Sequence, residues 1–304
     1  MIDFHEITLA DKDWIEDVLK DAGERGIDYG FGAMYAWKRY YNTKVAEVCG
    51  CFTALMEYEG EYFYMCPSGG CVNEAVLELA RDAEERGIRL TMVSAAGNDI
   101  ELLEEYFPGL FSYTLDRDSS EYVYDINDLA DLKGRRFHGK KNHVNRFFKD
   151  HPDWHVEPVT KDNVDICREL DKAWGAEHTD ADGAESLPFE DLALKCCFDH
   201  IEQFGLLGLI LFVGDRPVAF TLGSPLPIGD EVDVMFEKAL ADVDGAYSVI
   251  NMEFARYVRE NCPEVKYLNR EEDMGLEGLR TAKESYHPVM MVDKYIAEIK
   301  ETDE

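Results

Sequence analysis

The chain has 304 residues, 46% hydrophobic and 12% aromatic, with 63 acidic side chains against 31 basic ones and a formal net charge of −32. That length suits two domains of about 150 residues, and that composition excludes a disordered, highly charged tail. The charge repels nucleic acid and anionic membrane at long range and weighs against a polyanionic partner unless a local patch overrides it. In chain order, an amphipathic helix is predicted over Asp11–Arg25, followed by an aromatic segment, Tyr29–Tyr41. Short strands are expected at Lys44–Cys49, Phe52–Tyr58 and Tyr62–Cys66, the last two joined by a turn at Glu59-Gly60. Val72–Arg86 carries Val72, Ala75, Val76, Leu79, Ala80 and Ala83 on one helical face, and Gly87 stops it. A strand at Ile88–Ser94, a helix at Asp99–Tyr106 and strands at Phe111–Thr114 and Glu121–Tyr124 complete the first half.

The second half opens with a helix over Arg135–Lys149, ended by His151-Pro152, then a strand, Trp154–Pro158, and a helix, Lys161–Trp174. A polar loop, Asp180–Ser186, leads to a helix over Phe189–Phe204. Leu206–Val213 and Pro217–Gly223 form a hairpin across Gly214-Asp215, and Glu231–Lys238 is a third strand. Helix Ala246–Glu260, strand Val265–Leu268, helix Leu276–Ser285 and strand Val289–Tyr295 follow. Strands mixed with helices define an α/β (α+β) class. The order of elements is that of the GCN5-related acetyltransferase fold in the second half and a looser version of it in the first. We expect two tandem acetyltransferase-like domains, residues 1–132 and 133–304, the second carrying the active site.

No apolar run approaches the roughly 18 residues of a membrane span. Met1–Asp13 lacks the basic start and apolar centre of a signal peptide, which leads us to expect a cytoplasmic protein with no integral membrane part. The eight cysteines then read as reduced thiols. Cys49-x-Cys51 and Cys66-x4-Cys71 depart from the CxxC pairs of zinc modules, and we read them as core residues of neighbouring strands, with no metal.

Three segments carry candidate chemistry. Lys133–Lys149 holds Lys133, Arg135, Arg136, Lys140, Lys141, Arg146 and Lys149 with no acid between them. It reads either as an anion site or as a helix whose cations pair with acidic neighbours. Tyr267–Pro288 leaves a strand, crosses a charged turn and enters a helix. Its Glu271 and Asp273 are candidate bases, Lys283 and Arg280 candidate partners for carboxylates, and Gly275 and Gly278 call for a close backbone approach. Asp242–Glu253 is a loop opening a helix. It lacks the Gln/Arg-x-x-Gly-x-Gly/Ala pattern of acetyl-CoA enzymes, and we read it as a plain helix start capped by Asp242 or Asp244. An oxyanion site is expected at splayed strands near Leu222–Ser224.

Gly139–Phe147 and Asn269–Pro288 resemble the signature segments of the phosphatidylglycerol lysyltransferase C-terminal-domain family. The resemblance implies two fused acetyltransferase-like domains and kinship with enzymes that move an amino acid from aminoacyl-tRNA to a lipid head group or a peptide. On it, Lys140, Lys141, Asn142 and Arg146 line the donor or acceptor anion site. Arg270, Glu271, Asp273, Arg280 and Lys283 lie near the transfer centre. The expected reaction is direct attack by an amine or hydroxyl of a small-molecule or lipid head-group acceptor. The donor is aminoacyl-tRNA by resemblance or acyl-CoA by fold, with no tightly bound cofactor. A non-catalytic sensor of a small anionic metabolite is the competing reading.

Overall fold

Apolar residues alternating along the strands and recurring on one helical face build two compact units. The structure is a computed structural model and describes residues 1–177 and 187–300, so the expected loop Asp180–Ser186 lies outside the described residues. Unit 1 comprises Met1–Ser120 and Val292–Glu304, and unit 2 comprises Glu121–Met291.

Unit 1 contains strands β1 (His5–Glu6), β2 (Lys44–Val48), β3 (Cys51–Tyr58), β4 (Glu61–Met65), β5 (Ser68–Gly69) and β6 (Thr91–Ala95). Its helices are α1 (Lys12–Ala22), α2 (Phe31–Trp37), α3 (Val72–Arg86) and α4 (Gly97–Tyr106). Two long strands, β7 (Phe111–Asp125) and β13 (Met290–Ile299), belong partly to each unit. β1 to β4 form an antiparallel run, β4 pairs parallel to β6, and β6 pairs antiparallel to β13. The left-handed Gly87 ends α3, its N–H donating to the carbonyls of Ala83 and Glu84. Leu55, Tyr64, Val76, Leu79, Met92, Leu103 and Phe111 pack beneath α3 and α4.

Unit 2 adds α5 (Ile126–Asp131), α6 (His138–Asp150), β8 (Trp154–Pro158), α7 (Val164–Glu177), α8 (Leu187–Asp199), β9 (Leu207–Val213), β10 (Arg216–Pro225) and β11 (Glu231–Ala239). Then come α9 (Ala246–Asn261), β12 (Tyr267–Asn269) and α10 (Glu277–Glu284). β8 to β11 run antiparallel, β11 pairs parallel to β12, and β12 pairs antiparallel to β7. The two units therefore share one topology: a four-stranded meander, a helix, a parallel strand and an antiparallel closing strand. The closing strands are exchanged along the chain. Unit 1 is closed by β13, which follows α10, and unit 2 by β7, which follows α4.

The mixed α/β class stands as expected, and most elements fall within three residues of their predicted bounds. Two readings are corrected. Phe111–Thr114 and Glu121–Tyr124 are one strand, because Arg117–Ser120, polar enough to suggest a loop, continues the extended backbone, with Ser120 and Glu121 fully buried. The boundary at 132/133 falls inside unit 2. Ile126, Leu129 and Ala130 of α5 share the core of α9, and residues 292–300 belong to unit 1. Of the four N-terminal cysteines, Cys51 and Cys66 are buried as expected for core, whereas Cys49 and Cys71 are exposed.

Glu24, just past the left-handed Gly23 that ends α1, has a carboxyl raised from 4.5 to about 7 by burial and by Asp99 beside it. The protonated form is favoured in the folded state, so its contribution to stability is full below pH 4.5 and is lost as pH rises to about 7. Glu24→Gln should flatten the fall in Tm between about pH 5 and pH 7, read from melts by circular dichroism. An unchanged slope would contradict this assignment.

Candidate active site

In unit 2 the parallel pair β11/β12 is short. Glu231 faces Tyr267, Val232 faces Leu268 and Asp233 faces Asn269, and there the register ends while β11 runs on to Ala239. Beyond Asp233 the β12-facing edge of β11 has no ladder partner in β12. One ion pair spans the gap: Arg270 Nη2 donates to Glu237 Oε1 at 2.8 Å. Asn251 Nδ2, from α9, donates to Glu237 Oε2 at 3.2 Å. The Arg270 guanidinium lies 5.0 Å from the Tyr286 ring centre and 5.9 Å from that of Tyr124. Lys140 Nζ, from α6, lies 4.0 Å from the centre of the Tyr286 ring. Burial and Arg270 lower the Lys140 pKa, against the pull of Glu237.

The turn after β12 is fixed by its side chains. Asn269 is fully buried and donates to Glu121 Oε2 at 2.5 Å and Glu231 Oε1 at 2.9 Å, while its Oδ1 accepts the Glu271 N–H at 2.9 Å. Glu271 adopts φ +57°, a left-handed conformation unusual outside glycine. Burial pushes its carboxyl well above the ordinary range, and Asp233 and Glu272 add to the shift. Asp273 has no exposed surface. It accepts from Arg280 at 2.9 and 2.8 Å, from the Tyr122 hydroxyl at 2.5 Å and from the Gly275 N–H at 3.0 Å. The Arg280 hydrogen bonds hold the Asp273 carboxyl far below its usual pKa. Lys283 Nζ donates to the Arg270 carbonyl at 2.5 Å and to the Glu272 carbonyl, and burial lowers its pKa against the attraction of Glu271 and Glu272.

α9 begins where β11 and a short loop end. Neither expected cap serves it: Asp242 pairs with Arg216 at 3.0 Å and Asp244 with Arg146 at 2.8 Å. The N-cap is Gly245, at φ +87°, which brings no side-chain acceptor. A Cβ there would lie 3.0 Å from the His143 carbonyl oxygen and 3.1 Å from Phe147 Cβ, so α6 packs against bare backbone. Residues 243–248 face a cavity of about 270 Å³, also lined by Lys140 and His143. A helix start without a side-chain cap, with a lysine beside it, favours anions.

The predicted site residues thus separate. Lys140, Arg270, Glu271, Asp273, Arg280 and Lys283 all lie on or beside the β12 turn. Lys141 and Asn142 are exposed on α6, and Arg146 sits at the rim on Asp244 and Asp150. The basic segment is partly an ion-paired surface, since Lys133 pairs with Asp131 and Arg136 with Asp128, and partly a site wall, through Lys140. As a base Asp273 is corrected: four donors occupy its oxygens and keep it ionised. At the expected oxyanion position, Leu222–Ser224, β10 pairs continuously with β9 through Gly223, whereas its register with β11 shifts between Leu222 and Ser224. Gly275, at φ +72°, serves the turn, whereas Gly278 faces open space and no close approach demands it. Sequence reading missed Glu121, Asp233, Glu237, Asn251 and Asn269. The acids at 231, 233 and 237, set among apolar residues of β11, were the available signal.

Unit 1 fills the equivalent places with its own atoms. A Cβ on Gly70, before α3, would lie 2.4 Å from the Gly50 carbonyl carbon, and one on Gly69 would lie 2.7 Å from Val18. Near the end of β6, Ser94 Oγ donates to Asp28 at 2.7 Å, and Lys294 pairs with Asp28 at 2.7 Å.

The strand order and the parted parallel pair define an acetyltransferase-like fold. The chain resembles a tandem GNAT protein from the clavulanic acid biosynthesis pathway, with 11% identity, full coverage of both chains and a TM-score of 0.51. Residues 20–298 match the family of phosphatidylglycerol lysyltransferase C-terminal regions, and the chain belongs to that family. A conserved protein of unknown function from Bacteroides thetaiotaomicron VPI-5482 is 37% identical, with 99% of this chain and 100% of that one covered and a TM-score of 0.92. L-PGS from Bacillus licheniformis is 13% identical, with 95% and 92% covered and a TM-score of 0.65. A search of the curated proteins finds none that matches. No helix among the described residues is long and apolar enough to cross a membrane.

Asp273→Ala leaves Arg280 and Tyr122 without their acceptor and should cost about 3 kcal/mol, the scale for breaking a buried pair. Urea denaturation followed by tryptophan fluorescence measures it, and a loss below about 1 kcal/mol would show that the turn does not depend on Asp273.

Proposed function

We propose that the protein is an aminoacyl or acyl transferase whose reaction takes place in unit 2. The observation that carries this reading is the parting of β11 from β12 beyond Asp233 and Asn269, with Arg270 and Glu237 bridging the gap. A strand edge released from its ladder keeps N–H groups that can receive a carbonyl oxygen as it gains charge. The capless start of α9 and Lys140 suit a phosphate of the donor, either the 3′ end of an aminoacyl-tRNA or the pyrophosphate of an acyl-CoA. Family membership favours the aminoacyl donor.

The acceptor amine or hydroxyl attacks the carbonyl carbon directly. A new C–N or C–O bond forms, the ester or thioester bond breaks, and the acceptor proton passes to Glu271. Burial among Asp233 and Glu272 makes the Glu271 carboxyl a stronger base than an exposed one. The proton then goes to the departing oxygen or sulfur. Lys283 holds the carbonyls on either side of Glu271, and Asp273 with Arg280 holds the turn that presents it. These three are positioning residues in this mechanism.

Transfer from charged tRNA and from acetyl-CoA to an amine acceptor, assayed at low and physiological salt, tests the reading. Turnover with either donor is expected to fall about 10²- to 10⁴-fold in Glu271→Gln, the range for losing a general base. The wild-type rate should rise with pH through an inflection well above 4.5, since the base must be ionised. Lys140→Ala should weaken donor binding and reduce its salt dependence. Full activity in Glu271→Gln would remove the proposed base, and no turnover with either donor would remove the transferase assignment.

A further inference from the structure

In unit 1 the turn between β2 and β3 is two residues long, Cys49-Gly50, since Val48 pairs with Cys51 across it. Both turn residues are left-handed, at φ +52° and +77°. Such a turn ordinarily takes asparagine, aspartate or glycine first, and a cysteine there is strained. The start of α3 carries a second cysteine against local preference. Cys71 is its N-cap, a place that favours serine, threonine, aspartate or asparagine, and its side chain makes no capping hydrogen bond. The two cysteines are neighbours: the Cys71 N–H donates to the Cys49 carbonyl at 3.0 Å. Gly70 permits the approach, because a Cβ on it would lie 2.5 Å from the Cys49 carbonyl oxygen.

Residues joined across strands by a backbone hydrogen bond have Cα atoms about 5.5 Å apart, within the span of a disulfide. Both thiols are exposed and open to a reagent in solution. Cys51 lies buried behind them, its Sγ 3.1 Å from the Gly69 carbonyl oxygen, and both exposed thiols act on it electrostatically. We propose that Cys49 and Cys71 form a reversible dithiol site that reacts with a small-molecule disulfide and staples the β2–β3 turn to the start of α3. Desolvation, then Glu74 and Glu78, raise the Cys49 thiol, so the reaction starts at Cys71. The Cys71 thiolate attacks one sulfur of the small disulfide, forms a mixed disulfide and expels the other half as a thiolate. Cys49, deprotonated, then attacks the Cys71 sulfur, and the second half leaves. The protein pair is oxidised by two electrons, and the small disulfide is reduced to two thiols that take up the two protons.

The test treats the reduced full chain with oxidised glutathione, alkylates it and maps its peptides by mass spectrometry. The wild type is expected to yield a linked Cys49–Cys71 peptide, with no glutathione on either residue, and dithiothreitol should restore both thiols. Cys49→Ser should stop at a single glutathione adduct on Cys71. A disulfide also limits the freedom of the unfolded chain, so the oxidised wild type should melt about 5 °C or more above the reduced one. Cys49→Ser should melt alike under both conditions. Glutathione standing on both cysteines of the wild type, or both remaining free to alkylate, would overturn the proposal. A linked chain that melts no higher than the reduced one would do so too, since the bond would then staple nothing.

Discussion

The amide of Asn269 lies between two fully buried carboxyls, Glu121 on β7 and Glu231 on β11, and the rest of the site depends on that contact. Its nitrogen binds the two strands that flank β12, and its oxygen turns the chain by accepting from Glu271. β12 consequently stops after three residues, while β11 continues. Had the ladder run further, the backbone of β11 would be consumed by pairing and Arg270 would have no gap to span. A polar residue in a dry setting, with all its groups satisfied, thus specifies one place of departure.

The two units answer the same topology with different fillings. In unit 1 the glycines just before the helix that follows the meander are approached by Gly50 and Val18, and Ser94, near the end of β6, is tied into the Asp28–Lys294 pair. In unit 2 the corresponding helix starts at a glycine beside a cavity, and the residue after β12 is an arginine reaching across to the next strand. A repeated architecture therefore carries one packed interior and one recessed polar surface. This agrees with the concentration of distinctive charged segments after residue 132.

Much of this was legible in the sequence because local periodicity decides local structure. The Trp154–Pro158 strand, the hairpin at Gly214-Asp215 and the helix over Val72–Arg86 follow from alternation, a turn dipeptide and a stop glycine. The β12 turn was found because charges and glycines crowd there. The roles within it were not readable. Asp273 and Glu271 are two residues apart and chemically alike, yet Arg280 and Tyr122 saturate one while Asp233 and Glu272 crowd the other. Only the fold brings those neighbours in. The same holds for Glu237 and Asn251, which lie on separate elements and meet through α9. The expected caps of α9 failed for a related reason: Arg216 and Arg146 claim both aspartates.

The exchange of closing strands sets a schedule for synthesis. The first 120 residues leave the ribosome with β6 lacking its antiparallel neighbour, which is supplied only by residues 295–298. N-terminal domains commonly fold while the remainder is still being made. Here the first unit waits, with an unpaired strand edge, until residues 295–298 have been translated. The half without the recessed polar surface is then the last to be finished, and a prematurely terminated product would release a naked β edge rather than a smaller working protein.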